Sequence, residues 1–258
     1  MKKRYLVIPA CVLGMLLIPL SSQATHWLRA RQLARLQSNA AQLASLWVTY
    51  ALSDPSFNPT AQTGAVDCRA NQPAPGRVTV LTGTFGGTAN RSCTVPPRTP
   101  LFFPVLNATF INSTTDIACT ADADCAFVAG TCNADSLCDT GYTVEDKVEI
   151  IERYFAVDDQ CEMRVWLDGD QIYPSAGAGA VPLLRTPSRP TTATNPASGF
   201  VDHETVASGH WALVPGLPRG PHTLRFSGAT RGTDGLCGGT DSFSLDVTYD
   251  LQVGGRHP

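Results

Sequence analysis

Phe243-Ser244-Leu245-Asp246-Val247-Thr248-Tyr249-Asp250-Leu251-Gln252-Val253 decides the fold class. Apolar residues hold every odd position of this run and polar residues every even one. Side chains of a strand point alternately to its two faces, so the run predicts a half-buried β-strand. One wet face is the habit of antiparallel sheets, whereas parallel sheets are usually buried on both. His222, Leu224 and Phe226 alternate with Thr223, Arg225 and Ser227 in the same way, and His210 to Val214 is a further strand candidate.

Upstream, Glu162 to Leu167 and Asp170 to Tyr173 flank Asp168-Gly169, a strong signal for a two-residue hairpin turn. Shorter runs, Arg77 to Thr82, Ser92 to Val95 and Leu101 to Leu106, are separated by Gly86-Gly87 and Pro96-Pro97. Short strands with turns at this spacing predict a mainly β chain, an antiparallel β-sandwich of jelly-roll or Ig-like type. Residues 174 to 199, rich in Pro, Ala, Gly, Thr and Ser, are expected to form a long surface loop.

Two helices complete the reading. Over residues 26 to 52, Leu33, Leu36, Ala40, Leu43, Trp47 and Tyr50 recur at alternating spacings of three and four, which places them on one helical face. Ser53-Asp54-Pro55 ends that helix, because the residue before proline resists helical backbone. Packing on a sheet is the economical use of such a face, with dimerisation the alternative. A second, short helix is expected from Thr143, where Thr143 and Asp146 resemble a capping box and Val144, Val148, Ile151 and Phe155 share a face.

At the N-terminus, Lys2, Lys3 and Arg4 precede an apolar run from Tyr5 to Leu20, and Ser22 and Ala24 are small. This predicts a signal peptide over residues 1 to 24, cleaved after Ala24. The run of about 16 residues is shorter than the roughly 20 that cross a bilayer. The remainder, 25 to 258, reads as one β-sandwich domain in a secreted or periplasmic protein. The leader carries three basic residues and no acids, so its loss moves the net charge from −3 to −6. That balance points away from nucleic acid and, after cleavage, away from membrane.

Nine cysteines less Cys11 of the leader leave eight, an even number that reads as disulfides in an exported chain. Cys119, Cys125, Cys132 and Cys138 crowd into a segment, 116 to 141, poor in apolar residues. A stapled insertion pairing within itself is expected, with the interleaved Cys119–Cys132 and Cys125–Cys138 favoured because they crosslink the whole segment. The other four allow three pairings. Cys68–Cys93 flanks the first strand group, and Cys161 and Cys237 each precede a well-patterned strand.

Trp47, Asn58-Pro59, Gly64, Cys68, Gln72, Arg91-Ser92-Cys93-Thr94-Val95-Pro96, Leu101-Phe102-Phe103-Pro104-Val105-Leu106-Asn107, Asp168-Gly169, Gly220-Pro221-His222-Thr223 and Val247-Thr248-Tyr249 carry a resemblance. Together they resemble a group of uncharacterised exported bacterial proteins. The resemblance implies export and a β-rich fold, and it supplies no catalytic residues. The insertion resembles small cysteine-rich segments in exported proteins of some soil bacteria.

Chemistry is sparse. His203-Glu204 opens like a zinc-protease helix, but Ala207 stands where the second histidine belongs. His203, His210 and His222 remain as candidate metal ligands that strands would have to bring together. His26 would make an N-terminal copper site only with cleavage one residue later. Asp122, Asp124, Asn133, Asp135 and Asp139 offer oxygens to calcium, though their spacing is not that of an EF-hand and solvated turns explain them. No G-x-S-x-G pentapeptide occurs. The glycines at 83 to 87 and 238 to 239 lack the lysine and helix of a phosphate loop. Asn107-Ala108-Thr109 and Asn112-Ser113-Thr114 match the glycosylation pattern, which carries little meaning in the bacterial context that the resemblance implies. Trp166, Tyr173, Trp211 and Tyr249 are candidates for an aromatic sugar platform, against burial in the core.

No cofactor is named by these residues. The reading is an exported binding or structural module for a carbohydrate or cell-surface component. The alternative is a secreted hydrolase using carboxylates or a histidine-bound metal.

Overall fold

The computed structural model describes residues 34–36, 38–52, 60–110, 114–128, 130–139, 141, 143, 145–146, 148–149, 161, 163–174, 181, 183–195, 200–232, 234–237, 239–240 and 242–254. The expected leader and the start of the expected first helix lie outside them. In chain order the elements are α1 (Ala40–Leu52), β1 (Gly64–Ala65), β2 (Thr79–Val80), β3 (Gly87–Val95), β4 (Leu101–Phe110) and β5 (Thr114–Ala118). A 3-10 helix (Asp122–Val128), β6 (Thr131–Cys132) and β7 (Leu137–Asp139) follow. The last strands are β8 (Arg164–Leu167), β9 (Asp170–Tyr173), β10 (Leu183–Asn195), β11 (Phe200–Val214), β12 (Gly220–Ala229) and β13 (Ser244–Val253).

The chain is mainly β. A six-stranded sheet runs β1-β3-β13-β12-β8-β9, a four-stranded sheet β10-β11-β4-β2, and a three-stranded sheet β5-β7-β6. β13 is half-buried as its alternation requires, with Leu245, Val247, Tyr249, Leu251 and Val253 inside. Side chains from both large sheets meet in one apolar cluster, among them Leu101, Phe103, Val105, Ala212 and Val214 from the smaller sheet and Leu224, Phe226 and Val247 from the larger. Phe103 and Phe226 stack across it with centroids 4.6 Å apart.

The sheets are mixed rather than purely antiparallel, which corrects the expectation. β3 runs parallel to β13, β1 parallel to β3, and β2 parallel to β4. Alternation records which face of a strand is wet and says nothing about its neighbour's direction. β3 and β13 are joined by a connection long enough to return either way.

α1 covers the other face of the four-stranded sheet. Leu43, Trp47, Val48, Tyr50 and Ala51 pack against Val78, Val80, Phe102, Ala207, Trp211 and Leu213. Trp211 lies stacked on Phe102 at 5.2 Å and edge-on to Trp47 at 5.4 Å. Trp47 Nε1 donates to the Leu81 carbonyl at 3.0 Å, so the indole's one polar atom is satisfied inside. Each large side chain buried here contributes about 1.5–3 kcal/mol. The face expected from periodicity therefore meets the chain's own sheet.

The expected loop over 174 to 199 is a correction of a different kind. Its second half is β10, which pairs with β11 from Leu183 to Asn195. Proline lacks the N–H that a central strand needs, which is why this stretch reads as a loop. β10 is an edge strand, and the register slips between Thr186 and Arg189, where Pro187 falls. An edge and a bulge are the two places a sheet accepts proline.

Asp168-Gly169 turns the β8–β9 hairpin, with φ of 55° and 88°. Thr143 and Asp146 form the reciprocal cap. The Asp146 carboxylate accepts from the Thr143 N–H at 2.9 Å, and the Asp146 N–H donates to Thr143 Oγ1 at 3.2 Å. The bonds that the carboxylate accepts from Thr143, first from its backbone N–H and then from its hydroxyl, hold the Asp146 carboxyl below its ordinary value. Helical residues follow at 145, 146, 148 and 149, and the rest of the expected second helix lies outside the described residues.

Four disulfides join Cys68 to Cys93, Cys119 to Cys132, Cys125 to Cys138, and Cys161 to Cys237. These are the pairs that spacing favours. Crosslinks of this number belong to oxidising compartments. No helix among the described residues is long and apolar enough to cross a membrane.

The three-stranded sheet and its two interleaved bridges are expected to form a satellite, because among the described residues their buried cluster is made of their own cysteines alone. Deleting residues 117 to 140 and closing the gap with a short Gly-Ser linker is expected to leave cooperative unfolding intact. The midpoint should stay within about 4 °C, the equivalent of roughly 1 kcal/mol for a chain this size. Differential scanning calorimetry checks this, and a broad or lost transition would assign the segment to the core.

Candidate functional site

The inner face of the six-stranded sheet is packed and its outer face is open. Pleating sends Asn90 and Ser92 of β3, Thr248 and Asp250 of β13, Arg225 of β12 and Trp166 of β8 to that outer face. Register aligns them in rows. Asn90 lies opposite Thr248, Thr248 opposite Arg225, Arg225 opposite Trp166, and Trp166 opposite Gln171 of β9. A parallel row runs Ser92, Asp250, Thr223.

Arg225 is the hub. Its Nε and Nη2 donate to the two Asp246 carboxylate oxygens at 2.9 and 2.6 Å, and its guanidinium lies 4.9 Å over the Trp166 ring. The fork geometry and the ring face are both suited to a planar cation. Asp246 holds the Arg225 pKa above its ordinary value. On either side of this hub the face dips. One depression of about 380 Å³ is lined by Thr88, Ser227, Ser244 and Asp246, beside the Cys161–Cys237 bridge. The other, about 340 Å³, is lined by Asp168, Thr223, Asp250 and Gln252.

His222 stands at the second depression. Its Nδ1 is 2.7 Å from Asp168 Oδ2, and its Nε2 is 3.2 Å from the Pro218 carbonyl. A histidine oriented by a carboxylate is two-thirds of a hydrolytic triad, but there the second nitrogen faces a nucleophile. Here it faces a backbone oxygen. Asp168 also accepts the Thr223 N–H through Oδ1 at 2.9 Å and donates its own N–H to the Thr223 carbonyl at 2.8 Å. The pair fastens the β8–β9 turn to β12.

The candidate ligands His203, His210 and His222 are spread over both sheets. His203 and His210 belong to β11, opposite Ala193 and Leu106 respectively, and His222 belongs to β12. The His203 side chain lies outside the described residues. A zinc ligand needs a nitrogen free to reach about 2 Å from the ion, and both His222 nitrogens face oxygens. Among the described residues the one close group of ligand-type side chains is Cys119, Cys125 and Cys138, and all three are in disulfides.

The acidic residues of the insertion serve turns. Asp124 accepts from the Thr120 N–H and hydroxyl and the Ala121 N–H, and these bonds, the Thr120 N–H first, keep its carboxyl below the ordinary range. Asp122 takes the Cys132 N–H, Asn133 those of Asp135 and Leu137, and Asp139 that of Gly141. The aromatic platform does not assemble. Trp211 and Tyr249 are buried, in separate clusters, and Tyr173 packs against the core. Trp166 alone reaches the outer face.

Sequence reasoning passed over Arg91. It faces inward on β3 in step with Ala89, Cys93 and Val95, and it is only 3% exposed. Nη1 donates to the Thr82 carbonyl and to Tyr249 Oη, both at 2.8 Å. Nη2 donates to the carbonyls of Thr60 at 3.0 Å and Gly83 at 2.9 Å, and Nε to that of Gln62 at 2.7 Å. The Tyr249 hydroxyl in turn donates to the Thr82 carbonyl at 3.0 Å. Burial, and after it the neighbouring Tyr249, pushes the Tyr50 phenol upward beside this cluster. One cation thus ties two loops, 60–62 and 82–83, to the strand next to them. The period of two through Ala89, Cys93 and Val95 was the available signal. No family model, curated protein or solved structure matches this chain.

Proposed function

We propose that the protein is an exported carbohydrate-binding module, built as a β-sandwich, that takes a polyhydroxylated chain across the outer face of its six-stranded sheet. The observation that carries this reading is the row Asn90, Thr248, Arg225, Trp166, set between two polar depressions on one open face. Sugars present vicinal hydroxyls and an apolar ring face. Asn, Asp, Gln and Arg offer paired donors and acceptors to the first, and indole offers a surface to the second. The net charge, −3 for the whole chain and −6 without its leader, argues against a polyanionic ligand.

Export rests on the leader, the disulfides and the resemblance to exported bacterial proteins. A secreted or periplasmic location then places the face among polysaccharides and cell-surface matrix. A hydrolase reading has less support, since Asp168 and Asp246 are each engaged with a basic side chain and Asp250 takes the Thr223 hydroxyl.

Affinity electrophoresis through gels containing a panel of neutral polysaccharides tests the proposal. At least one polysaccharide should retard the wild type. Trp166→Ala should weaken that retardation about tenfold, equivalent to roughly 1.4 kcal/mol, with the melting temperature unchanged. Retardation by none, or retardation indifferent to Trp166→Ala, would overturn it.

A further inference from the structure

A second cavity lies away from that face, where the C-terminal turns of α1 meet the loop between β2 and β3. It holds about 180 Å³ and is walled by Trp47, Ala51, Phe85 and Phe243, with Asn107 and Thr109 of β4 on one side. Its scale matches that of an apolar cavity of about 150 Å³ that holds one benzene. Three of its walls are aromatic rings, which favour another ring edge-on or offset.

Three observations argue that it is a site and not a packing fault. Phe85 is 71% exposed, one of two large apolar residues left so open among the described residues. It sits at the cavity on a turn whose tightness needs glycine. Gly86 has φ +110°, a backbone conformation that residues with a Cβ rarely adopt. The opposite wall carries polar capacity, since Asn107 Nδ2 makes a long contact of 3.5 Å to Thr109 Oγ1. Finally, the rim is held rigid. Thr60 and Gly83, both lining the cavity, are the two residues whose carbonyls accept from Arg91 Nη2. A preformed apolar pocket with a few convergent polar groups is the ordinary form of a small-ligand site.

We infer that this cavity binds a single aromatic ring bearing one hydrogen-bonding substituent, the ring between Trp47 and Phe85 and the substituent toward Asn107 and Thr109. The inference is independent of the glycan face. Phenol is the probe, titrated into the disulfide-intact protein and followed by saturation-transfer NMR, with toluene as the ring lacking the polar group. Phenol should bind saturably and more tightly than toluene. Ala51→Leu, which fills the cavity, should weaken phenol at least tenfold. Phe85→Ala, a change at an exposed side chain that the fold tolerates, should weaken it about fivefold. Asn107→Ala should bring phenol down to toluene's level, and Trp166→Ala should change nothing. A signal that rises linearly without saturating would overturn the assignment. So would phenol binding that Phe85→Ala leaves intact.

Discussion

Replacing Arg91 with leucine is expected to cost about 3–5 kcal/mol of unfolding free energy, because several hydrogen bonds to a charged donor are lost together. The loss comes from what arginine leaves behind. The buried carbonyls of Thr60, Thr82 and Gly83 and the half-buried carbonyl of Gln62 would each lose a donor. An unsatisfied buried acceptor costs about 1–3 kcal/mol, offset in part by no longer burying a charge. At roughly 2–4 °C per kcal/mol, the melting temperature should fall by about 10 °C. Tyr249→Phe removes the hydroxyl that accepts from Arg91 Nη1 and the Thr82 N–H and donates to the Thr82 carbonyl, and should cost about 1–2 kcal/mol. Arg91→Lys should fall between, because an ammonium cannot reach five acceptors in one plane. Urea unfolding of the three variants measures this order. A neutral or stabilising Arg91→Leu would mean that desolvating the guanidinium consumes all that its hydrogen bonds return.

The second large effect is expected at the bridge between Cys161 and Cys237, whose sequence separation of 76 is the widest of the four. Closing a loop of that length restricts the unfolded chain by an amount worth about 4 kcal/mol, against about 3 for each 13-residue bridge of the insertion. The bridge also stands beside the 380 Å³ depression, and the Cys161 N–H donates to the Ala229 carbonyl at 3.0 Å, at the end of β12. A Cys161→Ser, Cys237→Ser double variant should therefore lower global stability by about 4 kcal/mol. The pair Cys119→Ser, Cys132→Ser should loosen only the satellite. Denaturant midpoints compared between the two variants decide it. Equal losses would mean that the insertion shares the main core after all.

How much of this was legible in the sequence follows from what alternation and spacing record. β13, β12 and the Asp168-Gly169 turn are written locally, so their period and their dipeptide were sufficient. The two cysteine pairs of the insertion were readable because their four cysteines crowd into one short segment. Three features were hidden. The parallel partner of β3 lies more than 150 residues away, and no local pattern marks it. β10 carries prolines that argue against a strand unless its edge position is already known. Arg91 looks like a surface residue by type, and only the inward phase of Ala89 and Cys93 betrays it. The open face is less legible still. Asn90, Thr248, Arg225 and Trp166 come from four strands spread across the chain, and register alone puts them in one row.

The place of β13 has a consequence for the order in which the molecule can come into being. It stands between β3 and β12, so the two halves of the large sheet have no common neighbour until residue 253 has been made. In a chain synthesised from its N-terminus, β3 waits through all the intervening residues with an unpaired side. Arg91 waits likewise for Tyr249, its partner 158 residues on. Contacts of such long reach form late and slowly, because loop closure precedes any return from pairing. The large sheet of the growing chain therefore stays open down its middle until β13 has been made, whatever the smaller sheet and α1 have already done.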